Sequence, residues 1–153
     1  MPKDHLNSSR RYRRLQSAAV ALLLAGCSAV PLERRWRPLT QLVNMPGQKE
    51  NRVTTVGRSV YVAPGHVPPE WIMIHEHVHA VRQKRDGVFW WVLQYLFNPS
   101  FARYEEELAF AEQWSANKPI RQRARAVLRR YHTFWGMRLW TDEEIEKMLN
   151  RYL

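Results

Sequence analysis

Residues 70–86 lie between Pro69 and Gly87 and read Glu-Trp-Ile-Met-Ile-His-Glu-His-Val-His-Ala-Val-Arg-Gln-Lys-Arg-Asp. Proline suits a helix start and glycine suits the residue after a helix end, so the pair frames a single helix of about 70–86. Inside it stand His75 and His79, with Glu76 directly after the first: His-Glu-x-x-His. Residues four apart on a helix share one face, about one turn apart, so both imidazoles can reach the same ion. Neutral imidazole is a preferred zinc ligand, and tetrahedral zinc with three protein ligands keeps its fourth position open for water. Glu76 projects beside the pair, where a carboxylate can take a proton from that water. Ile72, Met73, Ile74, Val78, Ala80 and Val81 surround the ligands with apolar residues, as a buried metal site requires. The apolar stripe of the helix is read as Trp71, Ile74, Val78 and Val81, spaced i, i+3, i+7 and i+10. His77 falls on another face and is expected at the surface or in an outer contact, not as a ligand.

Two histidines need a third ligand. A predicted helix that starts at Asn98-Pro99 and runs to about Ala116 carries Arg103-Tyr104-Glu105-Glu106-Glu107-Leu108-Ala109-Phe110. A carboxylate from this helix, packed antiparallel to the first, would complete a His₂Glu set. Three adjacent glutamates leave the choice open.

From about Val53 to Gln113 the chain resembles the small gluzincin-type metallopeptidase domains of bacteria and phages. Gly57-Arg-Ser-Val-Tyr-Val-Ala-Pro-Gly65 is similar to their strand before the metal helix. His75-Glu76-His77-Val78-His79 is similar to their HExxH motif, with Gln83 as its trailing glutamine. Glu106-Glu-Leu-Ala109 is similar to their Glu-x-x-Ala. The resemblance implies that Glu106 is the third ligand, with Glu105 as runner-up. Larger members have an Asp directly after that Ala. Phe110 stands there in this chain, so one contact to the histidines is either missing or supplied by another residue. The implied fold is α+β and mainly α: a minimal zincin-like fold, with a short hairpin or strand pair, the HExxH helix and a second helix bearing the Glu. The implied chemistry is peptide-bond hydrolysis of a peptide or protein substrate, with one Zn²⁺ per chain and Glu76 as general base. Tyr131 and His132 are candidate oxyanion donors. The Ser59–Val62 strand is a candidate for holding an extended peptide by edge pairing.

The N-terminus reads as an address. Lys3, Arg10, Arg11, Arg13 and Arg14 precede the uncharged run Ser17-Ala-Ala-Val-Ala-Leu-Leu-Leu-Ala-Gly26, which is long enough for a signal-peptide core and too short to span a bilayer. The run ends Leu24-Ala25-Gly26-Cys27, which resembles a bacterial lipobox. The resemblance implies a lipoprotein signal peptide over 1–26 and lipidation at Cys27, the only cysteine of the chain. It also implies a membrane-anchored protein of the bacterial cell envelope, in the outer membrane or periplasm of a Gram-negative host. The expected organisation is then 1–26 signal peptide, 27–52 tether or irregular arm, and 53–153 zincin-like domain with C-terminal helices. Two other functions fit the same residues: a non-catalytic zincin-fold envelope lipoprotein, and a phage-borne lysis or envelope-modifying lipoprotein.

Charge weakens any nucleic-acid reading. The chain carries a net +10, but residues 1–26 hold five basic side chains and one acidic one, so +6 remains for the rest. Much of the basicity is thus of the kind that orients a leader at a membrane, and no nucleic-acid partner is expected. The basic helix of about 120–131 is read as a solvated face. Thr141-Asp-Glu-Glu144 reads as the capping box of a last helix. The aromatic run Val88–Phe97 reads as core, with a membrane-facing patch as the alternative.

Overall fold

The computed structural model describes residues 28–48, 52–131 and 136–153. Strands β3 (Thr54–Val56) and β4 (Ser59–Val62) form an antiparallel hairpin closed by Gly57-Arg58. Gly57 takes φ +61° at the first turn position, which a two-residue hairpin of this kind reserves for glycine. Two further strands come from the segment expected to be a tether. β1 (Ser28–Pro31) pairs antiparallel with β2 (Gln41–Asn44), and β2 runs parallel to β4, so the sheet order is β1-β2-β4-β3. Residues 28–31 and 41–44 are therefore strands of the folded sheet and not an irregular arm. What holds them there is burial: Leu39, Leu42 and Val43 pack inside. Because β2 and β3 flank β4 on both sides, the Ser59–Val62 strand offers no free edge, and the expected peptide pairing along it does not stand.

Five α-helices follow among the described residues: α1 (Glu70–Asp86), α2 (Val88–Phe97), α3 (Pro99–Ala116), α4 (Arg121–Arg130) and α5 (Asp142–Tyr152). Their boundaries follow local chemistry. Asn98 caps α3 by accepting from the Phe101 amide, and Pro99 sits in its first turn. Thr141 and Glu144 form the reciprocal capping box of α5. The chain is α+β and mainly helical, as expected. No helix among the described residues is long and apolar enough to cross a membrane.

Two apolar cores result. Leu39, Leu42, Val60, Val62, Met73 and Ala80 pack between the sheet and α1. Ala102, Phe110, Trp114, Ala124, Leu128, Leu139, Trp140, Ile145, Met148 and Leu149 pack among α3, α4, α5 and the segment before α5. The buried side of α1 is not the predicted stripe: Trp71 and Val81 are exposed, and Ile74 and Val78 only half-buried. Instead Met73 and Ala80, seven residues apart, face the sheet, and His75 and His79 face α3. The side towards α3 is polar because α3 presents Glu106 and Gln113 there.

The basic helix α4 is fastened rather than merely solvated. Arg121 and Arg125 pair with Glu146, and Arg129 pairs with Asp142, which also receives Arg138.

Candidate metal centre

α1 and α3 meet with His75, His79 and Glu106 pointing at one another. Their ligand atoms all lie within 4.8 Å, and all three residues are buried. His75 Nε2 and His79 Nε2 are 3.2 Å apart. Glu106 Oε2 lies 3.2 Å from the first and Glu106 Oε1 3.3 Å from the second. Neighbouring ligand atoms on a tetrahedral sphere of about 2.0 Å radius are separated by about 3.3 Å, so the triangle is the size a small cation needs.

Hydrogen bonding sharpens this fit. Gln113 Oε1 stands 3.1 Å from His75 Nδ1 and accepts its proton. That assignment leaves His75 Nε2 as a bare lone pair aimed at His79 and Glu106. Glu106 Oε2, although beside that nitrogen, has no hydrogen-bond donor and is fully shielded from solvent. The His75 lone pair, the His79 Nε2 atom and the Glu106 carboxylate thus converge on one point, a donor set that suits a cation. The buried group could thus hold a metal ion.

The electrostatics agree in sign. Burial raises the Glu106 carboxyl, but His79 and His75 beside it outweigh this and hold it well below the usual carboxylate range. Burial lowers His79, but Glu106, with the charges of Glu76 and Glu105 behind it, outweighs this, so His79 stands above its ordinary value. Glu106 is thus the charged ligand of the three.

The three adjacent glutamates have separate employments. Glu106 faces the histidines. Glu105 is fully buried and takes the Arg82 guanidinium from α1. Glu107 accepts from Arg151 and Tyr152 of α5. A helix turns about 100° per residue, so each carboxylate reaches a different neighbour. Of the Glu105–Glu106 alternative, only Glu106 lies in the cluster.

Further residues converge on the centre. Tyr95 of α2 donates its hydroxyl to Glu106 Oε1. Burial and the Glu106 charge push its pKa far up, so it remains a donor at all ordinary pH. Tyr131, one of the two candidate donors, is brought to the site: its hydroxyl is turned to Glu106, and burial with the charges of Glu106 and Glu76 raises its pKa well above normal. His132, the other candidate, and Cys27 lie outside the described residues. Glu76 is buried, 6% exposed, and its charge is felt at His79, Tyr95 and Tyr131. His77 is no ligand; its Nε2 meets the Arg37 carbonyl ahead of β2.

Gln83, noted in the sequence only as a trailing glutamine, does structural work. It is fully buried. Its Nε2 donates to the Thr55 carbonyl at 3.0 Å, and its Oε1 accepts from the Gly57 amide at 2.6 Å. One side-chain amide thus takes the place of a pairing strand on the outer side of β3 and locks α1 to the hairpin.

Sequence reasoning missed Tyr95 and Gln113. Tyr95 was one aromatic in a run read as core. Gln113 carries the histidine contact that Phe110 cannot make, one turn further along the same helix face; a polar residue amid Ala109, Phe110 and Trp114 was the available signal. Comparison with family models, with curated proteins and with solved structures finds no match to this chain.

Proposed function

We propose that this chain is a zinc-dependent metallopeptidase with a minimal zincin-like fold, held on the bacterial envelope by a lipid on Cys27 and acting on a peptide or protein substrate. The observation that carries the reading is the buried triangle of His75, His79 and Glu106 with Glu76 directly after the first histidine. Imidazole and carboxylate donors in this number and spacing suit Zn²⁺, with a fourth position left for water or substrate. When bound, zinc supplies Lewis acidity for water activation and carbonyl polarisation.

The protein's own groups have distinct tasks in this reading. Gln113 fixes the His75 tautomer by holding a proton on Nδ1. Tyr95 holds one oxygen of Glu106 in place. The Glu76 carboxylate accepts a proton from the attacking water and returns it to the leaving nitrogen. Tyr131, protonated and at the same centre, is the described donor for the oxygen on which negative charge develops. The low exposure of the surrounding residues keeps bulk water out, which strengthens each of these interactions.

That same burial favours a second reading, a non-catalytic module in which the metal braces α1 against α3. His75, Glu76, His79 and Glu106 are each 6% exposed or less, so little of the centre meets solvent.

Glu76→Gln separates the two readings. The amide has nearly the same shape but accepts no proton at neutral pH. The metallopeptidase reading expects stoichiometric zinc in both forms and hydrolysis lower by about 10²–10⁴-fold in the variant. A parent protein that binds zinc and cleaves nothing across a broad peptide library would establish the second reading instead.

A further inference from the structure

Helix α2 has two unlike faces. Trp91, 4% exposed, stacks on Tyr95 and turns with it towards His79. On the other side Phe89 is 78% exposed and Trp90 59%, with Val88 and Phe97 exposed at the two ends. All ten residues of α2 are uncharged: Val-Phe-Trp-Trp-Val-Leu-Gln-Tyr-Leu-Phe. Single exposed apolar side chains are ordinary, but neighbouring exposed aromatics on a charge-free helix mark a contact surface.

Its surroundings indicate what it contacts. Lys84 and Arg85 close α1, joined to α2 only through Gly87 and Asp86, whose carboxylate pairs with Arg85. Arg58 sits in the hairpin turn beside Gly57, whose Cβ position lies 3.7 Å from Val88. Lys84, Arg85 and Arg58 against the single carboxylate of Asp86 thus leave the N-terminal end of an aromatic helix with a net +2. A protein partner asks for roughly one hydrogen bond per 100–200 Å² of contact. This face offers little for that: the Trp90 indole N–H, and Gln94, whose amide oxygen already accepts from Asn98. An apolar face with Trp and Phe and a basic rim is instead the composition of a helix that lies in the headgroup layer of an anionic bilayer.

We propose that α2 is a membrane-docking helix, its outer face, led by Phe89 and Trp90, seated in the interface of an anionic lipid bilayer. The docking stands independently of zinc or peptidase activity, and independently of a lipid on Cys27. Ser28 pairs with Asn44 at the end of the sheet opposite the turn that Val88 approaches. An acyl chain on Cys27 and the α2 face would therefore be two separate footholds, and together they fix how the domain lies on the membrane. The metal centre then sits one helix thickness, about 10 Å, from the lipid.

The test uses the full chain with Cys27→Ser and a single nitroxide-labelled cysteine at position 89, 90 or 147. Each labelled form is mixed with vesicles of phosphatidylglycerol and phosphatidylcholine, or of phosphatidylcholine alone. On the anionic vesicles, labels at 89 and 90 should lose collision with aqueous nickel severalfold and gain collision with oxygen, and the label at 147 on α5 should stay aqueous. The double variant Phe89→Ser with Trp90→Ser, carrying a label at 93, should lose immersion of that label about tenfold or more. It should unfold within a few degrees of the parent temperature, because both side chains are mostly exposed. Labels at 89 and 90 that remain aqueous on vesicle-bound protein overturn the proposal. So does shelter of those labels without vesicles together with a doubled molar mass, which would make a second copy the occupant. Equal immersion on uncharged vesicles overturns the anionic requirement.

Discussion

Replacing Gln83 by Leu tests whether one side-chain amide is what binds the metal helix to the sheet. Leucine fills nearly the same volume but neither donates nor accepts. The Gly57 N–H and the Thr55 C=O would then each face an apolar side chain. A buried polar group left without a partner costs about 1–3 kcal/mol, so the two cost roughly 2–6 kcal/mol together. Leucine recovers part of this, because the glutamine amide no longer has to be desolvated, which puts the expected loss at about 2–4 kcal/mol. With a urea m-value of about 2 kcal/mol/M, the unfolding midpoint falls by about 1–2 M. Hydrogen exchange supplies the local readout: the Gly57 amide should lose its protection while amides of α4 and α5 keep theirs. A second variant, Gln83→Glu, keeps an acceptor for Gly57, loses the donor for Thr55 and buries a charge. It should be destabilised more at pH 8 than at pH 4, where its protonated carboxyl again has a donor. A Gln83→Leu protein within about 0.5 kcal/mol of the parent, the range of ordinary surface changes, would refute the reasoning.

Glu106→Ala should abolish stoichiometric zinc, and Glu105→Ala should keep the metal but unfold earlier, since it strands Arg82 at the α1–α3 contact; metal analysis and thermal melts of the two variants decide. Gln113→Leu frees the His75 ring and should weaken zinc by about 10–100-fold, read by competition with a chromophoric chelator. Arg125 and Arg121 hold the Glu146 carboxyl down at about 2. A depressed folded-state pKa adds stability above the unfolded-state value and loses it as pH falls through the folded one. The difference in melting temperature between the parent and Glu146→Gln should thus be full at pH 7, small at pH 2 and gone only below that.

The helices were legible because their ends are written locally: Pro69 and Gly87 around α1, Asn98-Pro99 before α3, and Thr141 with Glu144 opening α5. The ligand pair was legible for the same reason, since four-residue spacing on one helix needs no knowledge of the fold. Choosing among Glu105, Glu106 and Glu107 from the residues alone was not open, because what separates them is which neighbour each meets: Arg82, the histidines, or Arg151 with Tyr152. β1 and β2 were hidden because four-residue strands near prolines carry almost no period, and β2 finds its partner only in β4, with Gln41 opposite Ser59. The stripe on α1 misled because periodicity counts apolar residues, whereas burial on this helix depends on partners. His75, Glu76, His79 and Gln83 are buried, and Trp71 and Val81 are not.

The boundary between α1 and α3 has a consequence for how the molecule comes apart. α1 belongs to the apolar core under the sheet and α3 to the helical core. Between them run directional contacts, Arg82 to Glu105, His75 to Gln113 and the histidines to Glu106, beside the packing of the Phe110 ring on His75. Shared apolar area yields gradually as surfaces slide, but bonds of this kind are lost together once their angles fail. Without an ion the coupling of the two halves rests on these contacts, so calorimetry of the metal-free chain should show a broader, less cooperative transition. An ion gripping both helices at the seam would sharpen it into one cooperative transition.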